Sequence, residues 1–189
     1  MTDRWRCFVA VPIADALRAD LASAVDGWRT EAAVGGLRWS DPSGWHLTLA
    51  FLGATSPGAV ADVSTAVAGI AATHRPIRLR TGGVGAFPSA DRARVLWYGV
   101  DDDEGRLAAL AKELRDALGL DPVERFHPHV TLARAPGRPL DLRAWAQRAA
   151  APTGEFRVDE VQVMRSHLGG GPARYEILAS APMGAAAHV

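Results

Sequence analysis

One five-residue pattern occurs once in each half of the 189-residue chain: His46-Leu47-Thr48-Leu49-Ala50 and His129-Val130-Thr131-Leu132-Ala133. Each run is apolar or β-branched apart from its histidine, which favours an extended strand. Residues two apart in a strand share a face. Each His therefore lies on the side of its Thr, ~7 Å along the strand, and the residue between them points into packing. Two such strands facing each other across a cleft would set two imidazoles and two hydroxyls around one small anion. Threonine is scarce, nine in the chain, so finding it twice at the same distance from a His, with the same Leu-Ala beyond, argues against a composition effect. The bland alternative is a pair of buried strands holding hydrogen-bonded core histidines.

The elements around the motifs follow one order twice. Residues 6–11 read as a strand stopped by Pro12. Residues 13–30 read as a helix, with Leu17, Leu21, Val25 and Trp28 on one face. A turn at 41–44 precedes the first motif strand, which runs to Leu52. Ser56-Pro57 starts a helix that runs to Thr73, and a strand covers 76–84. Residues 94–100 then form a strand. Asp101-Asp102-Asp103-Glu104 suits a helix N-terminus better than a metal cluster, and that helix buries Leu107, Leu110, Ala111, Leu114 and Leu118. The second motif strand spans 125–133, a helix spans 140–149, and a strand spans 156–164 with an irregularity at Asp159-Glu160. The Gly-rich loop at 169–172 lacks the Lys-Ser/Thr and following helix of a P-loop.

Strand, helix, motif strand, helix, strand thus describes 6–84 and again 94–165. The expected fold class is α+β: a duplicated two-lobed unit with pseudo-two-fold symmetry, mostly antiparallel sheets lining a central cleft, and helices outside. Residues 1–184 are expected to form a single domain, with a last strand at about 174–181 and a tail at 185–189. The axis would bring the motif strands face to face at the lobe junction, where ligand sites are common.

Formal net charge is zero, which disfavours an extended basic groove for long nucleic acid, because such binding scales with the phosphates neutralised. A local phosphate site is still open. Lys112 is the only lysine, so nearly all the positive charge is arginine, the better planar partner for phosphate oxygens. Cys7 is the only cysteine, which rules out an intramolecular disulfide. No apolar run reaches the length of a membrane span, and the first residues lead into a strand and not a secretory signal. These features predict a cytoplasmic protein with no membrane partner; a monomer is expected, although nothing in the residues sets the oligomeric state.

Histidine titrates near ~6.5, so one imidazole can be neutral while a second is charged. The neutral ring removes a proton from the attacking group and the charged ring protonates the leaving oxygen. In-line displacement at phosphorus needs the two on opposite sides of the reacting atom. Threonine hydroxyls would hold the non-bridging oxygens as charge develops. A strained five-membered 2′,3′-cyclic phosphate would need neither metal nor cofactor, and no Gly-x-Ser-x-Gly nucleophile motif is present.

The chain resembles the 2H phosphoesterase superfamily, defined by two His-x-Thr/Ser-x motifs, and within it the RNA 2′,3′-cyclic phosphodiesterases formerly called 2′-5′ RNA ligases. The likeness runs from Phe8-Val9-Ala10-Val11-Pro12 and Leu37-Arg38-Trp39 through both motifs. It takes in Gly85-Ala86-Phe87-Pro88, Arg94-Val95-Leu96-Trp97, His127-Pro128-His129 and Arg134. It ends with Ser166-His167-Leu168 and Ala173-Arg174-Tyr175. The resemblance implies a metal-independent hydrolase that opens 2′,3′-cyclic phosphate RNA ends to 2′-phosphates. It implies His46 as proton donor, His129 as proton acceptor, and Thr48 and Thr131 as phosphate-oxygen donors. The motifs are near equivalent, so the residues alone do not orient the pair. Rival readings are a cyclic phosphodiesterase on a small nucleotide such as ADP-ribose 1″,2″-cyclic phosphate, an enzyme for 2′-5′ oligonucleotides, and a non-catalytic RNA-end binding module.

His127 shares the face of His129, and a substrate contact is expected of it before a metal, because two ligands make a poor metal site. Arg134 is expected to meet a phosphate or the RNA end, with a surface ion pair as the alternative. Phe51, Trp39 and Trp45 have the chemistry to stack on a base, although aromatics beside strands are more often core. His74 reads as a solvated turn residue and His188 as tail. His167 is a weak candidate for the cleft.

Overall fold

A computed structural model describes residues 4–122, 125–167 and 173–184; the loop at 169–172 and the tail at 185–189 lie outside them. The described residues form strands β1 (Trp5–Pro12), β2 (Arg38–Trp39), β3 (His46–Thr55), β4 (Ile77–Phe87), β5 (Val95–Asp101), β6 (His129–Arg134), β7 (Glu155–Val158), β8 (Glu160–His167) and β9 (Arg174–Pro182). The helices are α1 (Asp15–Trp28), α2 (Ala59–Thr73), α3 (Arg106–Ala117) and α4 (Arg143–Arg148). The class is α+β. All strands join one sheet in the order β7-β4-β5-β6-β3-β1-β8-β9, with β2 beside β6. Every pairing is antiparallel.

The motif strands β3 and β6, expected face to face across a cleft, are instead paired side by side at the middle of one sheet. Outward from β3 come β1 and β8; outward from β6 come β5 and β4. The order is unchanged when strands of the first sequence repeat are exchanged with those of the second, which is the pseudo-two-fold relation. The last strand of each repeat has crossed over: β4 pairs with β5, and β8 pairs with β1.

The continuous strand expected at 156–164 is two strands broken at Asp159. β7 pairs with β4, whereas β8 pairs with β1 and β9. The irregularity is thus the passage from one half of the sheet to the other. Six strand spacings separate β7 from β8 in the order, at about 4.8 Å each. One intervening residue cannot span that distance, so the sheet is curled until these regions meet.

Side-chain chemistry explains the other shifts in element ends. Pro128 has no N–H to give a ladder, so the second motif strand starts at His129 instead of 125. The Pro128 carbonyl still accepts from Val100 N at 3.2 Å. The second helix starts at Ala59, and Ser56 Oγ accepts from Ala59 N at 3.3 Å. The acidic run begins a helix as expected, with Asp102 Oδ2 accepting from Ala108 N at 2.8 Å. The helix expected at 140–149 is α4 alone, entered through Asp141, whose carboxylate accepts from Arg143 N.

One large core lies between the helices and one face of the sheet. Leu17, Leu21, Val25 and Trp28 of α1 and Leu107, Leu110, Ala111 and Leu114 of α3 meet Val9, Leu47, Leu96 and Val130 there. Each fully buried leucine contributes about 1.5–3 kcal/mol to holding its element. A small second cluster, Phe8, Ala10 and Met164 with Tyr175 against it, comes from alternate positions and so belongs to the opposite face. No described helix is long and apolar enough to cross a membrane.

Candidate active site

The ladder between β3 and β6 rests on one pair, Leu47 opposite Val130. Antiparallel register around it sets His46 toward Thr131 and Thr48 toward His129. Leu47 and Val130 are fully buried, so the two histidines and two threonines share the other face. The pseudo-axis passes through this pair, and His46 and His129 are close enough for the charge of one to act on the other.

Both motif strands carry the same defect. In the β1–β3 ladder Val9 faces Ala50 and Ala10 faces Thr48, which leaves Leu49 as an extra residue. In the β5–β6 ladder Leu96 faces Ala133 and Trp97 faces Thr131, which leaves Leu132. Each bulge puts two successive residues into the core: Leu49 with Ala50, and Leu132 with Ala133. The alternation then resumes in the other phase. Phe51 and Arg134 therefore emerge on the His-Thr face, one at each end. Phe51 is 66% exposed, and Arg134 makes no ion pair among the described residues.

The imidazoles are held alike. His46 Nδ1 lies 2.7 Å from Gly44 O, and His129 Nδ1 lies 2.7 Å from His127 O. A carbonyl only accepts, so Nδ1 carries the proton and Nε2 of each neutral ring is the available base. Burial, the main cause, pulls the His46 pKa down to about 4 against the opposing effect of the Gly44 bond; the charges of His129 and Arg18 push the same way as burial. Burial also lowers the His129 pKa, with His127 and Arg134 adding to it.

The walls differ. His46 stacks on Phe8 at 4.8 Å and meets Tyr175 edge-on at 4.9 Å. His129 meets Phe87 edge-on at 5.0 Å, with Trp97 at 6.2 Å. Trp97 lies against Gly85, where a Cβ would run into its ring, so the glycine is what admits the indole. A Cβ at Gly44 would come within 2.7 Å of Tyr175.

The segment before His46 is fixed from several sides. Arg18 donates to Pro42 O, Trp45 O and Ile13 O at 2.6, 3.1 and 3.3 Å. Ser40 N donates to Leu132 O at 2.8 Å. Ser40 Oγ lies 2.8 Å from Leu132 O and 2.9 Å from Thr131 O, and accepts from Trp45 Nε1 at 2.9 Å. Ser40 thus ties the lead-in of one motif to the bulge of the other. The carbonyl of the other bulge, Leu49 O, accepts from Arg115 Nη1 at 2.7 Å.

Of the residues singled out in the sequence, His46, Thr48, His129, Thr131 and Arg134 share one face. His127 stands beside them, 4.7 Å from the Trp97 ring. Trp45 is core at 3% exposure, and Trp39 lies under Arg29. His74 is not simply solvated, since Nε2 bonds Glu113 at 2.8 Å. His167 bonds Glu176 at 2.7 Å at the end of β8. Phe8, Phe87 and Tyr175 carried no role in the sequence, and neither did Arg18, Ser40 or Arg115. Only their presence in motif-like stretches marked Phe8, Phe87 and Tyr175; nothing marked the other three. Among the described residues no group of three or more His, Cys, Asp or Glu side chains could hold a metal ion.

The chain is similar to the RNA 2′,3′-cyclic phosphodiesterase of Geobacillus stearothermophilus, 32% identical over 191 residues. That match covers 95% of this chain and 58% of that protein, so the chain spans little more than half its length. It is 34% identical over 131 residues to the protein of the same name from Aeropyrum pernix, covering 66% of this chain and 73% of the other. Among solved structures, E. coli LigT in apo form superposes with a TM-score of 0.74 at 24% identity, over 96% of this chain and 98% of that one. The complex of LigT with phosphate gives a TM-score of 0.72 at 25% identity, over 96% and 99%. The model of the 2′-5′ RNA ligase superfamily matches residues 17–170, a span that contains both His-x-Thr strands. With fold, motif pair and family model in agreement, the chain belongs to the 2′-5′ RNA ligase superfamily.

Proposed function

We propose that this chain hydrolyses 2′,3′-cyclic phosphate ends of RNA to 2′-phosphates, with His46 as proton donor, His129 as proton acceptor and no metal in the step. The observation that carries the reading is the matched imidazole pair. Each Nδ1 is tied to the carbonyl two residues back, which leaves two Nε2 atoms on one face around Leu47 and Val130. The names of the Geobacillus and Aeropyrum relatives and the phosphate complex of LigT support it.

The cyclic diester carries one negative charge. Bound between the rings, it offsets the burial that keeps them neutral, and one imidazole gains a proton. Thr48 and Thr131 hydroxyls donate to the non-bridging oxygens, and the Arg134 guanidinium balances their charge. His129 takes a proton from water as its oxygen attacks phosphorus. The bond from phosphorus to O3′ breaks in line, and His46 delivers its proton to O3′. The products are a 2′-phosphate and a free 3′-hydroxyl. The two rings end with protonation exchanged and return through solvent. Phe51 offers the terminal base a platform, and His127 flanks the substrate on the other side. One chain supplies every group, so the reading takes a monomer, in the cytoplasm with its RNA.

The test is a product assay with 2′,3′-cyclic AMP, a cyclic-phosphate-ended oligonucleotide and ADP-ribose 1″,2″-cyclic phosphate, with and without EDTA. A 2′-phosphate product at an unchanged rate in EDTA is expected. A 3′-phosphate product, or turnover of ADP-ribose 1″,2″-cyclic phosphate alone, would overturn the assignment; loss of rate on chelation would favour a metal enzyme.

A further inference from the structure

The catalytic pair would act equally on a mononucleotide and on a chain end. We propose that the RNA strand leading to the cyclic end runs along β1, away from His46 past Phe8 and Phe51, and that Arg6 and Arg4 hold its next phosphates. This inference rests on the proposed reaction and adds where the body of the substrate lies.

Alternate residues of β1 share a face. Ala10 is opposite Thr48, and Phe8 is opposite Phe51 and stacked on His46. Arg6, and then Arg4 just ahead of the strand, continue that row at ~7 Å steps. Both are exposed. Arg4 Nη1 donates to Ala54 O at 3.1 Å, and neither arginine makes an ion pair among the described residues. Arg6 is opposite Ser166 of β8, which is opposite Tyr175 of β9. Beyond the row, at the end of the strands, a hollow of about 280 Å³ is shared by both faces, with Arg4, Arg6 and Ser166 on the row's side and Trp5, Arg165 and His167 on the other. That is several times the roughly 30 Å³ share of one water. The nearby acid, Glu176, is engaged by His167 at 2.7 Å and Arg165 at 3.9 Å. Its register partner Arg165 is opposite Cys7, which puts the pair on the other side of the sheet from Arg6.

Phe8 is buried under His46 at 3% exposure, so the open features of the row are the Phe51 ring, Arg6 and Arg4, with no acid on their face among the described residues. Aromatic platforms followed by cations are what a single-stranded nucleic acid requires: a ring for a base and guanidinium groups for successive phosphates. An acidic peptide would satisfy the arginines but has no use for Phe51 or for continuity with a phosphate-cleaving centre. Zero net charge fits a track this short, since two arginines neutralise two phosphates.

The test compares kcat/KM for a cyclic-phosphate-ended oligonucleotide and for 2′,3′-cyclic AMP in the wild type, Arg4→Ala, Arg6→Ala and the double variant. Arg157→Ala, an exposed arginine on β7, is the control. Each substitution should raise KM for the oligonucleotide about threefold to tenfold and leave the mononucleotide within about twofold. It should also lower the salt slope of oligonucleotide binding by about 0.7. An unchanged oligonucleotide KM, an equal loss on both substrates, or the same effect from Arg157→Ala would overturn the track. If the wild type turns over neither substrate, the reaction reading fails. Fluorescence anisotropy of a 2′-phosphate-ended oligonucleotide on the same variants then decides the track on its own: weaker binding in the Arg4 and Arg6 variants supports it, and unchanged binding overturns it.

Discussion

The two motif strands share their frame and differ in everything that touches it. Both place His and Thr on one face, both bulge at the Leu that follows, and both tie Nδ1 to the carbonyl two residues back. Yet His46 is packed between Phe8 and Tyr175, while His129 stands among Phe87, Trp97 and the exposed His127. The bulge brings Phe51 to one end of the face and Arg134 to the other. The repeat supplies paired positions about an axis, and the unlike walls make the two positions different. In the proposed reaction one ring gives a proton and the other takes one, and the unlike walls distinguish the two.

The comparison can be broken most severely at the rings. His46→Ala and His129→Ala should each cost about 10²–10⁴ in kcat/KM, and the double variant should be little worse than either single, because the two act as a unit. Steady-state rates on 2′,3′-cyclic AMP measure this, and additive losses would mean independent roles. Thr48→Ala and Thr131→Ala should each cost on the order of 10²-fold, as loss of one donor to a developing oxyanion does. Similar losses from the two would show that symmetry persists at the phosphate oxygens.

Phe51 and Arg134 sharpen the asymmetry. Arg134→Ala should weaken inorganic phosphate and nucleotide alike, by about 1.5–3 kcal/mol. Phe51→Ala should weaken only the nucleotide, by about 1–3 kcal/mol. Calorimetric titration with both ligands separates them. At the bulges, Ser40→Ala should lower kcat about tenfold with little change in KM, through small misplacement of one motif against the other. Ser40→Thr should restore part of the loss. The smallest effect is on stability. The unfolded His46 ring titrates near ~6.5, whereas burial holds the folded ring neutral down to about 4. Between those values the unfolded chain binds more protons, so this contribution is complete above ~6.5 and is lost as pH falls toward 4. Thermal melts across that window should show a shallower decline for His46→Gln than for the wild type.

Much of this was legible because it is local. The His-x-Thr faces, the helix stripes on Leu107 to Leu114 and the α+β class follow from spacing alone. The bulges were not, since Leu-Ala after Thr reads the same whether both residues are buried by a phase slip or by a two-sided sheet. The break at Asp159 showed as a phase error in the strand pattern, but period-2 alternation records no distance, so the passage from β7 to β8 was invisible. Tyr175 reaches His46 only because β8 carries β9 to the β1 side of the sheet. Ser40 and Arg115 act through backbone carbonyls, a contact that leaves no mark on residue type at the other end.

The most direct test of the paired-imidazole account is the pH dependence of kcat/KM for 2′,3′-cyclic AMP in the wild type and in His46→Ala and His129→Ala. The account predicts a bell for the wild type, with its limbs set by histidines whose pKa values lie below the usual ~6.5, and the loss of one limb from the residual activity of each variant. A wild-type profile without two limbs, or either variant keeping the full bell at full rate, would contradict it.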